Sequence, residues 1–182
     1  ARKADILFIA VPISATPMVI ERLAPLMKKN ALITDVTSVK TPAIKAMKRC
    51  APPTAEILGL HPMFHDSMVA DMRGQTIVVC PVRTGPWNRW FLSFLRHEGA
   101  VLQKCRPQAH DQMMSVIQGI THLSAIATGI ALRKLGVSAI KSLKFSSPIY
   151  RLRLEMVGRV LYQSPKLYSE IALENPKTMN SL

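Results

Sequence analysis

Short apolar runs alternate with amphipathic segments over the first 105 residues, and this alternation limits the folds open to the chain. A continuous apolar run is typical of a strand buried on both faces of a sheet. Such runs predict strands over 5–13, 31–36, 56–62, 75–81 and 100–105, and apolar residues at helical spacing predict helices over 15–30, 38–50 and 86–99. This order of elements indicates βαβ units in a largely parallel sheet, so residues 1–105 are expected to form an α/β domain.

The pattern changes after residue 105, where helical spacing replaces the alternation. Helices are predicted over 110–136, 147–163 and 164–174, and residues 106–182 are therefore expected to form an all-helical domain. A chain of 182 residues with 48% hydrophobic and 19% charged residues has a globular composition and is long enough to build both domains.

The start of the chain and its cysteines indicate the cellular compartment of the protein. The first apolar run reaches Pro12 after too few residues to span a bilayer, and no signal peptide precedes it. Cys50, Cys80 and Cys105 are an odd number of thiols without CxxC spacing, which favours reduced, structural cysteines. We therefore expect a cytosolic protein that does not associate with membranes.

A net charge of +13 makes the chain strongly basic. No acidic residue occurs between Asp111 and Glu155, whereas basic residues recur singly or in pairs throughout that interval. The sequence has no Lys/Arg-rich run, no RNA-binding aromatic motif and no zinc-finger spacing, so nucleic-acid binding is disfavoured. A basic field around an anionic small molecule is the better interpretation.

The stretch LGLHP places a histidine where a buried strand ends. Because Pro62 holds the residue before it in an extended conformation, His61 is expected at the carboxyl end of the third strand. Ligands of open α/β sheets bind at that edge, although a histidine can also simply end a strand. Thr37 and Ser38 follow the preceding strand. Their hydroxyl groups either cap the next helix or face the same crevice as His61.

Polar residues on the long predicted helix form a second group of candidates. Gln118 and His122 are four positions apart and share a face, and His110 lies near the start of the helix. The alternative is that His122 is a hydrogen-bonded core residue and His110 only begins the helix.

Arg159 stands among apolar neighbours in the sequence MVGRVL. An arginine in such company often holds a carboxylate with its bidentate guanidinium. Arg151, Glu155 and Arg159 are also spaced i, i+4 and i+8, so an exposed salt-bridge ladder is the alternative.

Metal binding and nucleophilic catalysis are not indicated. His61 and His65 are four positions apart, but Pro62 breaks any helix that would bring them to one face. No HExxH, acidic cluster, GxSxG or Cys/His arrangement occurs, and no metal is expected.

Taken together, the stretches VPI, DVTSVK, LGLHPMF, HDQMMSVIQGITHLSAIATG and SSPIYRLRLEMVGR closely resemble the prephenate dehydrogenase family over about residues 4–174. The nearest type is the dehydrogenase part of the fused chorismate mutase–prephenate dehydrogenase. The resemblance implies an α/β fold, the second half of a Rossmann-like dinucleotide-binding domain, followed by an all-α substrate and dimerisation domain. It also implies NAD-dependent oxidative decarboxylation of prephenate to 4-hydroxyphenylpyruvate, in tyrosine biosynthesis.

The resemblance also implies roles for individual residues. His61 would be the catalytic histidine that hydrogen-bonds the C4 hydroxyl of the substrate, and Ser38, the second catalytic residue, would help to hold His61 and the reacting end of the substrate. His122, Arg159 and His110 would bind the substrate, with Arg159 clamping a carboxylate and His110 near the start of the helix.

Cofactor and partners follow from the same resemblance. Val11, Pro12, Ile13 and Thr37 would border the nicotinamide of NAD. The family further implies a homodimer formed through the helical domain and tyrosine as a feedback inhibitor.

The sequence departs from the family pattern in two ways. It has eight glycines, none separated from another by a single residue, so the GxGxxG half of a dinucleotide-binding domain is not found, and a chain shortened at both ends is expected. His65 stands where the family has glycine. A non-catalytic remnant that binds an aromatic-pathway ligand or a partner chain is therefore one alternative, and arogenate in place of prephenate is another.

Overall fold

The computed structural model describes residues 1–64, 69–162, 165–175 and 178. The expectation about His65 therefore lies outside the described residues. The chain divides into two compact units, residues 1–112 and 113–182.

A five-stranded mixed sheet forms the first unit. Its strands are β1 (Ile6–Ile9), β2 (Leu32–Asp35), β3 (Glu56–Pro62), β4 (Thr76–Arg83) and β5 (Val101–Lys104), side by side in that order. Three of the four pairings are parallel, but β3 and β4 run antiparallel. A parallel pair needs a crossover, usually helical, and in the described residues of the β3–β4 connection, 63–64 and 69–75, no helix forms.

Three helices accompany the sheet: α1 (Thr16–Leu23), α2 (Lys40–Cys50) and α3 (Pro86–His97). The first is shorter than the predicted 15–30, because the chain tightens into a 3₁₀ turn over Ala24–Leu26, which contains Pro25. Successive strand residues point to opposite faces, so Ile33 packs in the core beside α1 and α2, whereas Leu32 packs in the core beside α3. The sheet is thus covered on both sides.

The remaining helices are α4 (Pro107–Met114), α5 (Thr121–Lys134), α6 (Ala139–Leu143), α7 (Pro148–Tyr162) and α8 (Pro165–Leu173). A π-helical segment, Ser115–Ile120, joins α4 to α5 where a single helix over 110–136 was predicted. Such segments are rare and often occur at functional sites. The short helix α6 was not predicted.

The helical segment Pro107–Lys134 is long and apolar enough to cross a membrane by length and composition. Core helices of soluble proteins meet the same criterion.

Candidate functional site

The carboxyl ends of β1, β2 and β3 bring several predicted site residues to one edge of the sheet. In the parallel register Ile9 lies beside Asp35, and Asp35 lies beside Gly59. The segments that follow these positions are 10–13, 36–39 and 60–62. They carry the residues expected at the nicotinamide and at the reacting end of the substrate, namely Val11, Pro12, Ile13, Thr37, Ser38 and His61.

His61 is buried and bonded to a second histidine. Its side chain is 3% exposed, and its Nδ1 atom lies 2.9 Å from Nε2 of His110. The two rings meet edge to face with centroids 5.0 Å apart. On the other side of His110, its Nδ1 atom lies 2.8 Å from Oδ1 of Asp111. Two imidazoles and a carboxylate thus form a continuous buried chain, which we call the His61–His110–Asp111 relay.

Asp111 ties this relay to the start of α2. Its Oδ1 accepts the backbone N–H of Lys40 at 2.8 Å, and its Oδ2 accepts the backbone N–H of Thr41 at 2.9 Å. These are N–H groups that a helix leaves without internal partners. A carboxylate about seventy positions further along the chain therefore performs the function of an N-cap.

The interpretation of Thr37 or Ser38 as the N-cap of this helix is wrong. The cap position is Val39, which has no side-chain capping bond. The hydroxyl of Thr37 contacts the Asp35 carboxylate at 2.5 Å and the Val39 carbonyl at 2.9 Å. Ser38 is half-buried, and its side chain makes no hydrogen bond within the described residues, to His61 or to any other group.

A buried ion pair lies directly behind His61 in the sheet. The ammonium of Lys40 bonds to the Asp35 carboxylate, and both side chains are fully buried. The same ammonium donates to the carbonyl of Leu60, the residue before His61, at 2.5 Å. Gly59 leaves room for this side chain, because a Cβ there would lie 3.1 Å from Cδ of Lys40, which is closer than an ordinary contact. Lys40 therefore fixes the backbone from which His61 projects.

Burial keeps His61 neutral. Desolvation, with additional repulsion from His110 and Lys40, lowers the pKa of the His61 imidazole to about 3, although Asp111 opposes the shift. Burial alone would raise the pKa of the Asp111 carboxyl. The hydrogen bonds from His110, Thr41 and Lys40 outweigh burial, and the pKa is lowered. At neutral pH the edge therefore presents a neutral imidazole backed by a carboxylate.

His110 does not fit the substrate-binding role expected for it. Both of its ring nitrogens contact protein groups, and its side chain is only 1% exposed. It contacts His61, so any effect that it has on a substrate passes through that residue.

In the second unit, His122 and Tyr168 lie together. Their rings are edge to face, with centroids 4.3 Å apart. Burial lowers the pKa of His122. Burial raises the pKa of Tyr168, and the positive charge of Arg159 partly offsets this. Of the predicted substrate-binding residues, His122 therefore contacts Tyr168, and Arg159 acts on the same tyrosine through its charge.

Arg159 is exposed, and the salt-bridge ladder that was its alternative explanation is absent. In the described residues of α7, Glu155 pairs with neither Arg151 nor Arg159. Arg151 instead donates to the hydroxyl of Ser146 at 2.9 Å. The guanidinium of Arg159 is thus not committed to a carboxylate of its own helix.

Sequence reasoning missed Asp111, Lys40 and Tyr168. Asp111 could have been noticed as the carboxylate that precedes a long interval without acidic residues. Nothing in the sequence distinguishes Lys40 from the chain's exposed lysines, since its burial depends on Asp35 and Gly59 across the sheet. Among the described residues, no three His, Cys, Asp or Glu side chains form a metal-binding group.

Both units match models of known protein families. Residues 1–104 match the family model described as prephenate dehydrogenase, nucleotide-binding domain. Residues 106–182 match the model described as prephenate dehydrogenase, dimerization domain.

Individual relatives agree with these matches. The chain is 37% identical over 180 residues to a Methanocaldococcus jannaschii protein named as a probable arogenate/prephenate dehydrogenase, covering 97% of this chain and 40% of the relative. It is 36% identical to the T-protein of Haemophilus influenzae, covering 97% of this chain and 46% of the relative. The chain thus spans less than half the length of these curated relatives.

Solved structures share the fold. A prephenate dehydrogenase from A. aeolicus in complex with hydroxyphenyl propionate and NAD+ superimposes with a TM-score of 0.76 at 18% identity, covering 97% of this chain and 63% of that one. An arogenate dehydrogenase from Synechocystis gives 0.71 at 21% identity, covering 99% and 66%.

Proposed function

We propose, because the chain belongs to the prephenate dehydrogenase family, that it carries the catalytic histidine of an NAD-dependent dehydrogenase that oxidatively decarboxylates prephenate. The observation that supports this most is the neutral, buried His61 at the carboxyl edge of three parallel strands. Ligands of open α/β sheets bind at that edge.

His61 is suited to accept a hydrogen bond from the C4 hydroxyl of the substrate. Its pKa of about 3 keeps the imidazole uncharged, so a ring nitrogen can act as an acceptor at neutral pH. As hydride leaves C4, positive charge develops at the hydroxyl, and an acceptor already in place stabilises that charge without reorganisation. Bound NAD supplies the hydride acceptor.

The electron balance limits what the protein has to do. The C4–H bond breaks with its electron pair, and the electrons of the bond to the departing carboxylate enter the ring as carbon dioxide leaves. The hydroxyl proton that His61 polarises stays with the product as a phenol. The residues therefore position the substrate and stabilise charge, and they consume no proton overall.

Arg159 and His122 are proposed to bind the substrate. Prephenate carries two carboxylates, which match the bidentate guanidinium of Arg159 and the basic surroundings of the helical unit. The edge-to-face contact with the buried ring of Tyr168 holds the imidazole of His122 in place.

The edge formed by 10–13 and Thr37 suits the nicotinamide end of NAD. Val11, Pro12 and Ile13 are apolar, and the hydroxyl of Thr37 is held by Asp35. The chain contains no glycine pattern that could cradle a pyrophosphate, so these residues account for only one end of the cofactor.

A homodimer through the helical unit is proposed from its exposed apolar surface. A groove of about 600 Å³ lies between α5, α6 and α7 and is lined by side chains such as Leu132, Ile140, Leu143 and Leu161. Ile140 in this groove and Phe145 elsewhere on the same unit are 77% and 91% exposed. A cytosolic location and feedback inhibition by tyrosine, a product-like phenol, complete the proposal.

Arogenate is the second candidate substrate, supported by the names of the relatives from Methanocaldococcus jannaschii and Synechocystis. It differs from prephenate at the side chain, where an amino group replaces the keto group. The ring chemistry assigned to His61 is the same for both.

The test is NADH formation by the purified chain with NAD and either prephenate or arogenate, followed by absorbance. We expect turnover with prephenate. Comparing the rates with prephenate and with arogenate identifies the preferred substrate. No turnover, combined with a rise in melting temperature when prephenate or tyrosine is added, would instead indicate a non-catalytic remnant that retains a binding site.

A further inference from the structure

The hydrogen bonds of the His61–His110–Asp111 relay depend on which ring nitrogen of each histidine carries a proton. All three residues are at least 97% buried, and the bonded atoms of each successive pair lie within 2.9 Å of each other. A neutral imidazole carries its proton on one of two nitrogens, and the hydrogen bond made by one nitrogen determines the state of the other. The direction of each bond in the relay therefore follows from the group at its end.

Asp111 fixes the first bond. Backbone N–H groups of Lys40 and Thr41 both point at its oxygens, an arrangement that favours the ionised carboxylate at the start of a helix. A carboxylate can only accept hydrogen bonds. The Nδ1 atom of His110 must therefore be the donor, and it carries the proton.

The second bond follows from the first. With its proton on Nδ1, a neutral His110 presents an acceptor lone pair at Nε2. The Nδ1 atom of His61, 2.9 Å away, must then donate to it. His110 is only 1% exposed, and burial of this kind favours the uncharged form of an imidazole.

We propose that Asp111 is a positioning residue, which acts through His110 to hold His61 as the Nδ1–H tautomer with its basic lone pair on Nε2. Whatever group Nε2 contacts, it meets that group as an acceptor. In the other tautomer the same nitrogen would carry a hydrogen and could not accept one from a hydroxyl. The catalytic part of this inference rests on the proposed function, whereas the tautomer itself does not.

Within the relay, the Asp111 carboxylate favours a charged His61. If Nε2 takes up a hydroxyl proton, the imidazolium keeps its Nδ1–H bond to His110, and the bond from His110 to Asp111 strengthens with the added positive charge. The N–H bond forms as the O–H bond lengthens, and the proton returns to the same oxygen as the ring becomes aromatic, so the product is a phenol and no proton is consumed.

The direct test is a long-range ¹H–¹⁵N spectrum of the imidazoles in the ¹⁵N-labelled chain at neutral pH, without substrate or cofactor. We expect His61 and His110 both to show the Nδ1–H pattern. A proton on Nε2 of His61, or a doubly protonated His110, would overturn the inference. Because no turnover is needed, this result decides the tautomer even if the proposed dehydrogenase activity fails.

Variants test whether Asp111 acts on His61 through His110. Asp111→Asn should change the nitrogen shifts of both rings. It should also lower kcat by about 10- to 100-fold, a part of the roughly 10²- to 10⁴-fold that acid–base assistance contributes, with KM changed less than about twofold. Asp71→Asn is the matched control, because Asp71 is an exposed aspartate that pairs only locally, with Arg73. Unchanged His61 shifts in folded Asp111→Asn would contradict the proposal.

His110→Phe keeps Asp111 at the helix start and removes both imidazole bonds. In that background Asp111→Asn should lower kcat by less than about twofold further, because its effect passes through His110. An undiminished loss would mean that Asp111 acts only by supporting the fold.

Discussion

Asp111 and Lys40 are 71 positions apart in the sequence, and the carboxylate of the first accepts the backbone N–H of the second at 2.8 Å. The same carboxylate bonds to the ring of His110. One side chain therefore anchors the start of α2 and the buried histidine pair together, and the stability of the first unit and the chemistry of His61 depend on a shared group.

Removing this carboxylate should destabilise the fold. Asp111→Ala loses the cap on α2, which costs about 1–2 kcal/mol, and leaves the His110 Nδ1–H without an acceptor, which adds about 1–3 kcal/mol. Urea unfolding followed by circular dichroism measures the free energy of unfolding. Asp71→Ala, at an exposed site, should change it by less than about 0.5 kcal/mol. Equal effects of the two variants would show that the remote cap contributes nothing.

Replacing only one partner of the buried Lys40–Asp35 ion pair should strongly destabilise the fold. Lys40→Met leaves an uncompensated carboxylate in the core and should destabilise the chain by about 3–5 kcal/mol. Adding Asp35→Asn removes that charge while keeping an acceptor for Thr37, so the double variant should recover at least half of the loss. Chemical denaturation of the single and double variants checks this, and a double variant less stable than Lys40→Met would refute it.

His61 should make the chain sensitive to acid. Its pKa is about 3 in the fold and about 6.5 in the unfolded chain, so between these values the unfolded state binds more protons. The contribution of His61 is therefore fully present above about pH 6.5 and is lost as the pH falls toward 3.

The measurement is the free energy of unfolding from about pH 6.5 to about 4.5. His61→Asn should reduce its slope by about 1.4 kcal/mol per pH unit, the value for one proton. His97→Asn, on the exposed surface of α3, should keep the slope of the parent chain. A His61→Asn slope equal to that of the parent would show that His61 titrates normally in the fold.

Arg159 should act in binding. Arg159→Ala should raise KM for prephenate about 10- to 100-fold, the loss expected for charged hydrogen bonds, with a smaller change in kcat. Arg151→Ala is the matched control, because Arg151 is an exposed arginine on the same helix that bonds to Ser146. Steady-state kinetics at varied prephenate concentration distinguish the two. An unchanged KM in Arg159→Ala would show that Arg159 does not bind the substrate.

The sequence predicted local structure well where periodicity is strong. The third strand was placed over 56–62 and the helix before it within two residues, because apolar runs and proline boundaries are local signals. The antiparallel β3–β4 pair was not foreseen, since strand direction depends on the path of the connection. The π-helical segment Ser115–Ile120 was missed because its residues keep a helical composition.

The site was only half predictable for a similar reason. His61 was identified from its place before a proline, but its partners are 49 and 50 positions away along the chain. The hydroxyl groups of Thr37 and Ser38 were expected either to cap α2 or to face the crevice of His61, yet a distant carboxylate accepts the backbone N–H groups at the start of that helix. Long-range polar contacts leave no periodic signal, so Asp111 and Lys40 emerged only from the fold.

The most direct measurement of the central claim compares His61→Asn with His97→Asn in NADH formation, together with prephenate binding by calorimetry. We expect His61→Asn to abolish turnover while it binds prephenate within a few-fold of the parent chain, and His97→Asn to match the parent in both. Retained turnover in His61→Asn would contradict the assignment of His61 as the catalytic residue.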